Sequence, residues 1–234
     1  GSAAVEVDDG KDDGGGLNDS LLRCVHILFG HEAPITCLAL STALDLVVSG
    51  ASDGSVLLHR VKKGTYVRRL CGSADNPNDQ SPISSVVLAE QSGLILVHCH
   101  ANKSLRSFTI NGNLLASITT DQTITATAVT AHGDMVVCGG DAGALDIYGT
   151  HDLRHLRNLP FQRLNAAENR SGRDGGRRAT KSKSAWPVTT LVFSDDFQYL
   201  FVGTAGGQVW LSCDPKKRLE MLDVAINKTF AGMI

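Results

Sequence analysis

Three short apolar, β-branched runs lie close together early in the chain: Ile35–Leu40, Leu44–Val48 and Val56–Val61. Ser41-Thr42-Ala43 divides the first two, and Ser52-Asp53-Gly54 the last two. Runs of this length bounded by small polar residues predict strands joined by hairpins. Asp53-Gly54 is expected to supply the positive φ angles of a tight hairpin, with Asp53 accepting hydrogen bonds that hold the turn. An ordinary antiparallel hairpin beside an incidental Gly30-His31 would share this pattern, so repetition has to decide the architecture.

The pattern does repeat. Aligned on the hairpin, His59 is matched by Phe108 in Ser104–Phe108, by Tyr148 in Ala144–Tyr148 and by Ser212 in Gln208–Ser212. A basic unit of about 40 residues with two insertions accounts for these intervals, and that is the blade length of a β-propeller. A glycine ends the turn at Gly54, Gly143 and Gly207, and Lys103 takes its place in the second unit. The reading is therefore all-β: a WD-repeat β-propeller with about four blades present, part of a seven-bladed ring. The blades span about 35–70, 83–118, 124–159 and 188–222, within a partial propeller of residues 21–234. Leu22–Phe29 is expected to be the outer strand of a blade whose inner strands lie elsewhere.

In WD-repeat proteins the Gly-His histidine and the turn aspartate are buried hydrogen-bonding partners, joined by a strand serine and a strand tryptophan. By that resemblance His31, Ser49 and Asp53 form the network of the first blade, with His59 in the tryptophan slot. The other three units lack the His and Asp, so strand packing is expected to hold them.

Composition narrows the class. Of 234 residues, 42% are hydrophobic and 20% charged, with a formal net charge of −2. That is enough apolar material for a core, with no overall pull toward nucleic acid. No apolar run reaches membrane-spanning length, and no signal peptide opens the sequence. Residues 1–20 carry six acids (Glu6, Asp8, Asp9, Asp12, Asp13, Asp19), one base (Lys11) and Gly14-Gly15-Gly16, which predicts a disordered acidic tail; Gly1-Ser2 reads as a cloning remnant. The six scattered cysteines contain no Cys-x-x-Cys pair and fall mostly in predicted strands, which points to reduced thiols in a cytosolic protein. The Asn-x-Ser/Thr sequons at Asn18, Asn102, Asn169 and Asn227 are then incidental.

Two segments narrow the family. Phe108–Ala116 and Cys138–Tyr148 closely resemble the carboxy-terminal WD-repeat propeller of neurobeachin-like BEACH-domain proteins, and Val48–Ala51 with Leu57-Leu58-His59 resembles the preceding blade of that family. The likeness covers about residues 21–213. It departs at the insertion between Gln162 and Ala185, and at Asp214–Ile234, where the family's aromatic and histidine-containing end is missing. The resemblance implies a non-catalytic protein-protein interaction scaffold in vesicle and membrane trafficking. It also implies a cytoplasmic parent protein, peripherally associated with membranes, whose BEACH module precedes the propeller. Partners would be other proteins at the propeller's loop faces.

The insertion at about 162–186 is strongly basic. It holds Arg163, Arg170, Arg173, Arg177, Arg178, Lys181 and Lys183 against Glu168 and Asp174. Such a loop is either a solvated, mobile insertion or a patch for an anionic partner: acidic lipid headgroups, an acidic peptide or RNA. It has no interleaved aromatics, so stacking on RNA is disfavoured. Arg177-Arg178-Ala179-Thr180 resembles a basophilic kinase site, and phosphorylation of Thr180 would offset local positive charge.

Catalytic chemistry finds no foothold. His98-Cys99-His100 puts two imidazoles on one strand face and a thiol on the other, a poor arrangement for one metal. Gly139–Gly143 lacks the Lys-Ser/Thr and following helix of a phosphate loop. Asp195-Asp196 falls in a turn, where adjacent acids point apart. The sequence therefore predicts no enzyme activity, no cofactor and no metal. Four blades leave a propeller open, so either further blades of a longer protein or self-association is expected to cover the ends.

Overall fold

The computed structural model describes residues 24–71, 80–160, 186–213 and 220–223. Among the described residues, sixteen strands form four antiparallel sheets of four. Blade one comprises β1 (Ile35–Ser41), β2 (Leu46–Ala51), β3 (Val56–Arg60) and β4 (Tyr66–Cys71); blade two comprises β5 (Ile83–Ala89), β6 (Leu94–Cys99), β7 (Ser104–Thr109) and β8 (Leu114–Thr119). Blade three comprises β9 (Ile124–Val129), β10 (Met135–Gly140), β11 (Ala144–Gly149) and β12 (His155–Pro160); blade four comprises β13 (Val188–Phe193), β14 (Tyr199–Thr204), β15 (Val209–Cys213) and β16 (Glu220–Asp223). Each is a meander in chain order, and the first strands of successive blades lie side by side, β1 by β5, β5 by β9 and β9 by β13. The all-β propeller reading holds.

The alignment of the repeats is a register in space. His59 pairs with Val47, Phe108 with Ile95, Tyr148 with Val136 and Ser212 with Leu200, in each case the second residue of the blade's second strand. The turn residues align as well. Gly54, Lys103, Gly143 and Gly207 all have positive φ, from 51° at Lys103 to 82° at Gly54. The turn itself differs from the expectation, because Asp53 is not in the left-handed region. Gly54 N–H donates to Ala51 O (3.2 Å) and Ala51 N–H to Ser55 O (3.0 Å). That is a three-residue loop with one left-handed residue at its end, so a single glycine suffices.

Alternation of side chains gives every blade two faces, and the core is built where they meet. Val48, Val56 and Leu58 of blade one pack on Ile83, Val86, Ile95, Val97 and Phe108 of blade two. Leu96 and Leu105 of blade two meet Ile124, Val136, Cys138 and Tyr148 of blade three. Val137, Leu145 and Ile147 of blade three meet Val188, Leu191, Leu200, Val202 and Trp210 of blade four. Three apolar layers thus join four blades, and both faces of the two middle sheets are covered.

Of the expected outer strand, residues 24–29 are described and pair with no sheet among the described residues. An outer strand needs an inner neighbour to pair with, and no described sheet offers one. The segment lies instead against blade one, where a Cβ on Gly30 would sit 3.1 Å from Leu57 Cδ1.

Candidate interaction surface

His31 sits between β2 and the β2–β3 turn. Its Nε2 lies 2.7 Å from Ser49 Oγ and its Nδ1 2.8 Å from Ser55 Oγ. Asp53 reaches the imidazole through Ser55, whose backbone N–H donates to Asp53 Oδ1 at 2.9 Å. Burial lowers the His31 pKa, against the opposing pull of the Asp53 carboxylate. The geometry sets His59 apart from this group. Although buried, it pairs with Val47, two positions along β2 from Ser49, and its Nε2 lies 2.9 Å from Phe29 O. His59 therefore ties down the segment before blade one rather than completing the His31 network.

Blade three holds a buried polar group that the sequence reading passed over. Asp146 is 6% exposed. Its Oδ2 accepts from Gln122 Nε2 (2.7 Å), and its Oδ1 accepts from Asn158 Nδ2 (2.6 Å) and lies 3.1 Å from His155 Nε2. Gln122 also donates to Ala144 O, and Ala144 occupies the position of Ser55 in blade one. Gln122 thus does for blade three what His31 does for blade one, with a different side chain. The signal available in the sequence was a carboxylate at the centre of an otherwise apolar strand, Ala144-Leu145-Asp146-Ile147-Tyr148. Burial and the Asp146 charge push the Cys138 thiol and the Tyr148 hydroxyl up.

His98 and His100 have separate partners. His98 Nδ1 lies 2.9 Å from Ser84 Oγ, and His100 Nε2 donates to Ile124 O. Among the described residues no group of three or more His, Cys, Asp or Glu is placed to hold a metal, and no disulfide is present. Among the described residues no helix is long and apolar enough to cross a membrane. Arg163, Arg170, Arg173, Arg177, Arg178, Lys181, Lys183 and Thr180 lie outside the described residues.

The loop face carries a half-open cleft of about 290 Å³, lined by Leu88, Glu90, Gln91, Val129, Ala131 and Phe197 among others. The turns between first and second strands of blades two, three and four form its walls. Each such turn contains a left-handed residue: Asp45 in blade one, Gly93 in two, Gly133 in three and Phe197, at φ 54°, in four. A bulky aromatic there is conformationally costly. The turn is held by Phe197 N–H donating to Ser194 O (2.8 Å) and by Asp196 Oδ1 accepting from Gln198 N–H (3.1 Å). Its ring is partly exposed and flanked by Phe193 at 5.8 Å. The cleft therefore offers apolar walls, one aromatic and one carboxylate, Glu90.

The chain matches the family described as neurobeachin beta propeller domain over residues 19–160. It is 34% identical over 132 residues to BEACH domain-containing protein B of Arabidopsis thaliana, covering 56% of this chain and 5% of that protein. It is 25% identical over 215 residues to the human lysosomal-trafficking regulator, covering 88% of this chain and 5% of that one. The human WD repeat- and FYVE domain-containing protein 4 is 30% identical over 142 residues, covering 57% of this chain and 4% of that protein. The chain thus spans about a twentieth of these relatives. Among solved structures it is similar to the computationally designed Ika4 protein, with TM-score 0.56 and 22% identity over 80% of this chain and 95% of that one. The designed Ika8 protein gives TM-score 0.55 and 22% identity over 80% of this chain and 48% of that one. The two designs speak to the fold alone.

Proposed function

Because the chain belongs to the neurobeachin beta propeller domain family, we propose that it is a protein-interaction platform within a BEACH-type trafficking protein and has no catalytic role of its own. A relative named as a lysosomal-trafficking regulator supports the trafficking context, and a cytoplasmic, peripherally membrane-associated parent is part of this reading. The observation that carries it is the cleft beneath Phe197. Turns from three blades converge there on a concave surface of mixed apolar and polar lining, and an aromatic residue is kept in a left-handed conformation that any glycine would adopt more easily. Such a surface suits an extended peptide with an apolar anchor and a basic residue opposite Glu90.

Selection of a displayed peptide library on the wild-type chain tests this. Apolar, basic-flanked peptides should be enriched and should bind Phe197→Ser at least tenfold more weakly, with the melting temperature little changed. If no peptide distinguishes the two proteins while acidic vesicles are bound through residues 163–183, the interaction surface is the basic stretch and the cleft reading fails.

A further inference from the structure

We propose that β8, the outer strand of blade two, is a docking edge that takes an acidic, extended segment of a partner protein as a fifth strand. This surface is separate from the cleft beneath Phe197 and goes beyond the function proposed above. Among the described residues no strand pairs with the outer side of β8, so a row of its backbone N–H and C=O groups faces outward. Each of the four blades has such an outer edge, and three of them are guarded. β4 carries Arg68 and Arg69, and its pairing with β3 is broken twice, at Val56/Leu57 and at Leu58/His59. β12 carries His155 and Arg157 and ends on a proline; β16 has only four residues, with an acid at each end. Charge, bulges, proline and shortness are the devices that keep an edge from accepting another strand. β8 reads Leu114-Leu115-Ala116-Ser117-Ile118-Thr119, with no charge, proline or glycine. Its one register shift, at Ser107/Phe108, leaves Ala116–Thr119 regularly paired with Ser104–Ser107.

The two flanks of β8 differ, and the difference sets what an incoming strand must carry. Ala116 and Ile118 pack against the apolar layer that joins blades two and three, which includes Leu153. On the other flank Ser117 is exposed and pairs with Arg106, so the two side chains share a face. The Arg106 guanidinium carbon lies 6.0 Å from the centre of the Phe108 ring, which belongs to the layer shared with blade one. Arg68 reaches the same region from blade one, donating through Nη1 to Asn111 O in the β7–β8 turn. The basic character extends along the rim of both blades. Residues 60–71 hold five Lys or Arg and residues 101–120 hold two, and neither stretch contains an Asp or Glu.

An added strand therefore meets arginine on one side and apolar side chains on the other. Main-chain hydrogen bonds to β8 supply the attachment, and the segment that fits has acidic residues alternating with apolar ones. A second copy of the chain does not fit, because antiparallel pairing of β8 with β8 sets Arg68 and Arg106 on the same face as their own equivalents.

A capped, fluorescent hexapeptide of alternating glutamate and valine, matching the six residues of β8, is the probe. Titrated with the full 234-residue chain at low ionic strength, its anisotropy should rise to saturation. Hydrogen exchange of the chain should then show new protection at the amides of β8. Ser117→Glu, with an unchanged circular dichroism spectrum, should weaken binding by about tenfold through like-charge repulsion. Two further peptides, N-methylated on the glutamate amides or on the valine amides, separate strand pairing from simple charge attraction. One of the two should lose binding and the other keep it, because only alternate N–H groups of a strand face its neighbour. Equal binding by both methylated peptides overturns the proposal, as does protection at the turns around Phe197 in place of β8. If phosphatidylserine vesicles bind the chain and the peptide does not, the basic rim faces a membrane and the proposal falls.

Discussion

His31 and His98 are imidazoles placed near strands of adjacent blades, and burial acts on them in the same direction. His98 is 1% exposed, and burial, reinforced by the neighbouring His100, pulls its pKa down to about 4 from an ordinary value of 6.5. A histidine held neutral in the folded protein takes up its proton first in the unfolded chain. Its contribution is therefore complete above about pH 6.5 and is lost as the pH falls toward 4. The full difference corresponds to roughly 3 kcal/mol. Melting curves at pH 7 and pH 4.5 should show the wild type losing more stability than His98→Phe, and equal slopes would show that His98 is not the titrating group. His31 is better supplied with partners. His31→Ala leaves the Ser49 and Ser55 hydroxyls without it and should cost about 1–3 kcal/mol in urea denaturation. An unchanged midpoint would show that the network contributes nothing.

At the scale of single elements, the hairpin turn and the buried polar group decide how degenerate a blade can become. The β6–β7 turn places Lys103 at φ 51°, where the other three blades have glycine. Lys103→Gly should raise stability by about 1 kcal/mol, read as a higher melting temperature, because the left-handed conformation no longer opposes a side chain. In blade three, Asp146→Ala removes the acceptor shared by Gln122, Asn158 and His155. The loss should be about 1–3 kcal/mol, comparable to that for His31→Ala, since the buried Gln122 amide loses its acceptor while Asn158 and His155 are exposed and turn to water. Chemical denaturation of the two variants side by side gives the comparison. The expectation that strand packing holds the blades after the first gains a polar addition in blade three: Gln122 and Asp146 share no motif with Gly-His and Asp-Gly, so a motif search cannot find them.

For the whole molecule, the row of four blades matters more than any one of them. Three apolar layers join four sheets, so each middle blade is supported on both of its faces.

The sequence alone determined the blade count, the repeat length and the turn positions, because they depend on local physics: apolar runs of strand length and a left-handed residue at each hairpin. The alignment of His59, Phe108, Tyr148 and Ser212 became a shared register for the same reason. Only the tertiary structure decided which polar side chains meet. His59 bonds to Phe29 O rather than to Ser49, and Asp53 reaches His31 through Ser55, because these contacts depend on where a preceding segment crosses the sheet. The cleft under Phe197 is likewise made by residues from three blades. Their positions along the chain carry no mark of that, since the geometry arises only when the blades stand side by side.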